Sequence, residues 1–143
     1  MKRTAVVLVL ASLAAGGCDV LITDPTPEEA RLVIQGAGDT PVRVIISTEF
    51  VAQINQVGQT EVVIFVADTV ITSLPYETVY VIREDQRFFA EAARQDADVE
   101  SIQMQVFIDG RRQFDEGGML LENQPYRFVY TFNQAITREI VVL

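Results

Sequence analysis

The chain has 143 residues, with 11 Lys and Arg against 20 Asp and Glu for a formal charge of −9, and it has no histidine. That balance repels phosphate backbones and argues against nucleic acid as a partner. Without imidazole, and with only one cysteine, neither a Ser/His/Asp triad nor a Cys/His pair can be built, and zinc loses its two preferred ligand types.

The first element in the chain is an export signal. Met1, Lys2 and Arg3 precede an apolar run from Ala5 to Ala15, and Gly16 and Gly17 lead into Cys18. A basic region, an apolar region and a small-residue cleavage site are the parts of a secretory signal. The stretch from Ala5 to Gly17 is short for a bilayer-spanning helix, which needs about 20 mainly apolar residues.

The sequence Ala14-Ala15-Gly16-Gly17-Cys18 resembles the lipobox of bacterial lipoprotein signal peptides, with Ala15 where that family usually carries leucine. The resemblance implies removal of residues 1–17 and acylation of the Cys18 thiol, the covalent lipid being the only cofactor expected. Asp19 resembles the inner-membrane retention signal of some enteric bacteria. One acyl chain binds a membrane marginally, whereas two or more anchor it, because each buried CH₂ contributes about 0.8 kcal/mol. Two other readings stand beside this one: a retained anchor from Thr4 to Thr23, and an ordinary cleaved signal in which Cys18 has no special part. All three send the domain out of the cytoplasm, and the lipid-anchored reading places it in the cell envelope, facing the periplasm or the exterior.

Removing 17 residues leaves 126, enough for one domain with a core. Losing Lys2 and Arg3 takes the mature charge to −11, with 9 basic residues against 20 acidic. No cysteine follows Cys18, so the fold forms no internal disulfide and rests on its core.

Residues 18–30 hold Pro25 and Pro27 among acids, which suits an extended tether; a first edge strand at Val20 to Thr23 is the alternative. From Arg31 the pattern is that of strands. "RLVIQ", the turn-rich "GAGDTP" and "VRVIIS" read as a hairpin. "EVVIFVADTVIT", Glu61 to Thr72, reads as one buried strand, bent near Asp68. "ETVYVI" follows, and "RFFAEAA" fits either a strand or a short helix, the strand being favoured.

In "SIQMQVFIDG", Ile102, Met104, Val106 and Ile108 share a face opposite Gln103 and Gln105, and Asp109-Gly110 is a hairpin turn signal. Gly117-Gly118 reads as another turn. "YRFVYTF" sets Tyr126, Phe128, Tyr130 and Phe132 on one face, which reads as core rather than as a ligand platform, and "REIVVL" ends the chain. About seven or eight short strands and no long amphipathic helix predict an all-β fold, an antiparallel β-sandwich of the Ig-like or Greek-key type over residues 31–143.

Taken together, "RLVIQGAGDTPVRVIIS", "SLPYETVYVI" and "FFAEAARQDADVESIQMQVFIDGRRQFDE" resemble the MmpS family, small membrane-anchored accessory proteins of mycobacterial lipid transporters. The resemblance implies a compact β-sandwich and an accessory role in envelope transport. That family carries paired cysteines in its late strands, and this chain has none.

Candidate sites are few. Asp96, Asp98 and Glu100 alternate in "QDADVES" and offer oxygen ligands suited to Ca²⁺, although an acidic loop between strands is ordinarily just solvated. Asp115 with Glu116, and Glu84 with Asp85, are paired carboxylates of the kind acid/base chemistry needs, but neighbours along a strand point to opposite faces. Arg111-Arg112, beside the Asp109-Gly110 turn, suits an acidic group or simply water. The expected function is that of a non-catalytic, lipid-anchored envelope protein, an interaction or accessory subunit of a transport or assembly system. The alternative is a module that captures a small apolar ligand between its sheets.

Overall fold

The computed structural model describes residues 26–36, 41–95 and 100–143. Cys18, with the whole signal and lipobox, lies outside them, as do Asp96 and Asp98. The described chain is all-β. Its ten strands are β1 (Glu29–Gly36), β2 (Val42–Ile54), β3 (Thr60–Thr72), β4 (Tyr76–Val81), β5 (Arg87–Arg94), β6 (Glu100–Ile108), β7 (Arg111–Leu120), β8 (Tyr126–Thr131), β9 (Gln134–Ile136) and β10 (Ile140–Val142).

They form a four-stranded sheet in the order β4-β1-β6-β7 and a six-stranded sheet in the order β10-β3-β2-β5-β8-β9. All pairs are antiparallel except β10 with β3, which is parallel. The expected sandwich is present, with ten strands rather than seven or eight. Three connections pass from the first sheet to the second, β1 to β2, β4 to β5 and β7 to β8, and the first two interlock. β1 and β4 are neighbours in one sheet, and β2 and β5 are neighbours in the other.

β1 begins at Glu29 and Pro27 is already buried, so the folded domain starts inside the expected 18–30 tether. The expected β1–β2 hairpin is absent. β1 pairs with β4 and β6, and β2 with β3 and β5, because each strand has an apolar face that fills the space between sheets when the two sit opposite. Gly117 and Gly118 are not a turn but part of β7. Gly117 lies against the backbone of β6, where an added Cβ would stand 3.1 Å from the Ile102 carbonyl oxygen.

"RFFAEAAR" is a strand with both faces buried, which explains why it lacks period-2 alternation. Phe88, Ala90 and Ala92 join the core between the sheets, together with Leu32, Met104, Phe114 and Phe128. The Phe114 and Phe128 rings lie 5.6 Å apart. Phe89 faces the other way, into a second core with Phe50, Val62, Val129 and Ile140.

That second core exists because the six-stranded sheet curls. Its two edge strands, β9 and β10, are separated by only three residues of chain, so the sheet's opposite margins are held close together. The β2–β3 ladder is irregular between Ile46 and Phe50, where β2 carries two residues opposite one of β3 and Phe65 is then extra on β3. Bulges of this kind sharpen bend and twist. Ser47 fixes the bend: its Oγ donates to the Val66 carbonyl at 2.6 Å and accepts from the Glu49 N–H at 3.0 Å. Beyond it, Phe50 packs edge-on against Phe89, with ring centroids 6.2 Å apart.

β3 is a single strand, as expected, but it is not buried. Phe65, Val66 and Ile71 are exposed; of this strand Val62 is buried in the second core and Ile64 packs partly against it. A continuous apolar run looks the same in sequence whether it is enclosed or lies at a margin.

Candidate functional site

The cluster that stands out is polar and sits on the Phe89 side of β5. Glu91 is 4% exposed, in a strand whose other interior residues are Phe and Ala. The register places Arg127 of β8 opposite it on one side and Ile45 of β2 on the other, with Arg43 one diagonal step away. Arg127 Nε donates to Glu91 Oε2 at 2.7 Å, and its Nη1 donates to the Ile140 carbonyl at 2.9 Å. Arg43 Nη2 lies 3.5 Å from Glu91 Oε1, and its side chain is 44% exposed. Two guanidiniums therefore meet one carboxylate, leaving one positive charge over in a chain of strong negative charge.

The cluster forms one wall of a surface hollow of about 520 Å³, which Arg94, Glu122, Asn123 and Pro125 also line. A second hollow of about 380 Å³ shares Asn123, Pro125 and Arg127 and continues toward Glu116, Thr137 and Glu139. Both flank the β7–β8 connection, where Asn123 takes a positive φ of 60°. A half-exposed guanidinium steadied at one edge by a buried acid can receive a planar anion such as a carboxylate.

Sequence reasoning missed Glu91. The available signal was an acid at the centre of an apolar strand, with arginines at in-strand positions Arg43 and Arg127; buried charges are paired, so the acid itself called for partners.

The residues singled out by sequence are scattered. Glu100 opens β6 opposite Leu120, and its companions Asp96 and Asp98 lie outside the described residues. Asp115 accepts from Gln103 Nε2 at 2.8 Å and pairs with Arg112 at 2.7 Å. Hydrogen bonds from Gln103 and then Gln105, with the Arg112 charge, hold its carboxyl below the usual carboxylate range. Glu116 lines the second hollow. Glu84 and Asp85 are exposed in the β4–β5 turn, and Arg111 is exposed beside Tyr130 and Asn133. Among the described residues, no three His, Cys, Asp or Glu side chains are grouped so as to hold a metal ion.

The aromatic face of β8 is core in three of its four positions. Phe128 and Tyr130 are buried and Tyr126 packs against them. Phe132 leaves the face because the chain turns there with φ 45°, and its exposed ring lies under the Arg87 guanidinium at 5.1 Å.

Fold and site together define an all-β sandwich with a second core and an arginine-lined surface hollow. No protein family matches the chain, and no curated protein matches it.

Proposed function

We propose that this chain is an exported, lipid-anchored and non-catalytic interaction protein of the bacterial envelope, an accessory subunit of a transport or assembly system. The anchor is Cys18, on the strength of the Ala14 to Cys18 lipobox resemblance, and the transport setting follows the MmpS resemblance.

The observation that carries the interaction reading is the occupancy of both cores. Phe88, Phe114 and Phe128 fill the space between the sheets, and Phe50 and Phe89 fill the curl of the larger sheet. Recognition is thereby left to the surface. The same filling weighs against capture of a small apolar ligand between the sheets, which needs an internal apolar cavity. The hollow beside Glu91 is lined by charge and suits an acidic group of a partner instead. Glu91 is matched to Arg127 and Asp115 to Arg112, so these two carboxylates are engaged in ion pairs, which supports a binding role.

In-membrane crosslinking of the tagged native protein, followed by mass spectrometry, tests this. One transporter or assembly complex recovered in stoichiometric amount is the expected result. Recovery of nothing reproducible removes the accessory role. Labelling with a fatty-acid analogue, lost in Cys18→Ser, tests the anchor separately.

A further inference from the structure

We propose that the hollow beside Glu91 receives a carboxylate of a partner polypeptide, and that Arg43 is the residue that holds it. The inference rests on the interaction reading and names the chemistry of the contact. Arg127 and Arg43 both approach Glu91, but their donors are used differently. Arg127 places Nε on Glu91 Oε2 and Nη1 on the Ile140 carbonyl, and its side chain is 27% exposed. Arg43 has the ion contact to Glu91 Oε1 at 3.5 Å and is 44% exposed. Among the described residues its guanidinium donates no hydrogen bond, and a guanidinium carries five N–H donors in a fixed fork. Arg127 is therefore the structural member of the cluster. Arg43 is drawn to the wall of the hollow by a buried acid and keeps its fork for a second acceptor.

Charge selects the kind of anion. The lining sets Arg43, Arg94 and Arg127 against Glu91 and Glu122, which leaves one positive formal charge in a chain at −9. A single carboxylate cancels that charge, and its two oxygens match two parallel N–H groups of the fork. A phosphate monoester, at about −1.5 to −2, overshoots it beside two acids already present. The adjoining hollow has Glu116 and Glu139 on its wall, so an anion is confined to the Arg43 side. Ala93, Leu121 and Pro125 add apolar surface to the lining, against which the chain bearing the carboxylate can lie.

Position favours a polypeptide over a lipid headgroup. The chain that leads from Cys18 enters the fold at Pro27, which lies with Tyr130 and Asn133. Pro125 and Arg127, on the hollow, are at the other end of β8. With the anchor at Cys18, the hollow is on the end of the domain away from the point of attachment. The carboxylate has two sources in a partner polypeptide, an acidic side chain or the chain terminus, and both present the same group to Arg43.

The test is made on the full chain carrying Cys18→Ser and labelled with ¹⁵N, so that its outcome does not depend on acylation. The arginine Nε–H resonances are followed while three probes are added at constant ionic strength: N-acetylglutamate α-amide for the side chain, N-acetyl-leucine for the terminus, and inorganic phosphate. The Arg43 resonance is expected to shift and saturate with the carboxylates, and whichever binds more tightly names the source. Uncharged N-acetyl-leucine amide is expected to give no shift. In Arg43→Gln, read at Arg127 Nε, half-saturation is expected to rise about tenfold or more, as loss of hydrogen bonds to a charged group requires. Arg83→Gln, which removes an exposed ion pair to Glu28, is expected to leave it unchanged. Unaltered circular dichroism in both variants keeps folding out of the comparison. The proposal is overturned by shifts that fail to saturate, by an equal response to the uncharged amide, by tighter binding of phosphate, or by an Arg43→Gln titration that matches the parent. A failed titration leaves the fatty-acid labelling of Cys18 as it stands, and a failed labelling leaves the titration as it stands. Loss of the accessory complex in crosslinking, with the titration intact, removes the partner and keeps the carboxylate site.

Discussion

Arg127 holds Glu91 with its Nε at 2.7 Å and the Ile140 carbonyl with its Nη1 at 2.9 Å, so one guanidinium joins β5, β8 and β10. Glu91 is buried, and among the described residues the other positive charge on it is Arg43 at 3.5 Å. Removing one partner of a buried pair strands the other charge. Arg127→Ala is expected to cost about 3–5 kcal/mol in urea unfolding, whereas Glu91→Leu with Arg127→Met is expected to be near neutral or stabilising. Equal losses in the single and double variants would remove the pair from this role.

The two cores predict a contrast among phenylalanines. Phe89 is buried in the second core and Phe88 in the first, though they are adjacent in sequence. Each change to alanine is expected to cost about 3–5 kcal/mol. Phe65→Ala, at an exposed site, is expected to stay within about 0.5 kcal/mol of the parent. Chemical denaturation of the three variants checks this, and a mild Phe89→Ala would mean that the second core contributes little.

Tyr80 supplies a pH dependence. Partial burial first, then its hydrogen bond to Asp68 and the charge of that carboxylate, push the phenol from 10.0 up to about 12. The folded state thus holds this proton more tightly than the unfolded chain does. The stability linked to it is whole below pH 10 and is lost as pH rises toward 12. Ultraviolet titration is expected to show a phenol ionising near 12 that disappears in Tyr80→Phe and moves down in Asp68→Asn.

Asp109 has two roles at the β6–β7 turn. With φ of 46° at Asp109 and 73° at Gly110 the turn is of type I′. The Asp109 carboxylate oxygen Oδ1 also accepts from the Glu28 and Glu29 N–H groups, each at 3.0 Å, and so holds the start of β1. Asp109→Ala is expected to lose about 1–3 kcal/mol and to speed amide exchange of Glu28 and Glu29. Asp109→Asn keeps the acceptor and the tolerance for positive φ, so it is expected to retain most of the stability.

Strand positions were readable wherever one face was buried and the other wet. Ile102, Met104, Val106 and Ile108 are all buried in β6, and the hairpin at Asp109-Gly110 falls where its residues place it. The reading failed where alternation has more than one cause. Gly117-Gly118 carries the composition of a turn but serves a close approach between β7 and its neighbours; a Cβ on Gly118 would meet the Tyr126 hydroxyl at 2.9 Å. β5 is the strand that the sequence favours, although Phe88-Phe89 breaks its alternation because the strand has a core on each side.

The sequence by itself determined the secondary structure class, the apolar content of the strands and the tight turns, because φ preferences and side-chain period are set within a few residues. It also contains, in one short run ending at Cys18, the whole case for an envelope anchor. Tertiary structure alone decided that β1 and β2 part into opposite sheets, that the larger sheet curls over a second core, that Glu91 meets Arg43 and Arg127, and that β3 lies at an open margin. These depend on pairings between residues far apart in the chain, and a strand's local pattern is the same whichever neighbour it finds.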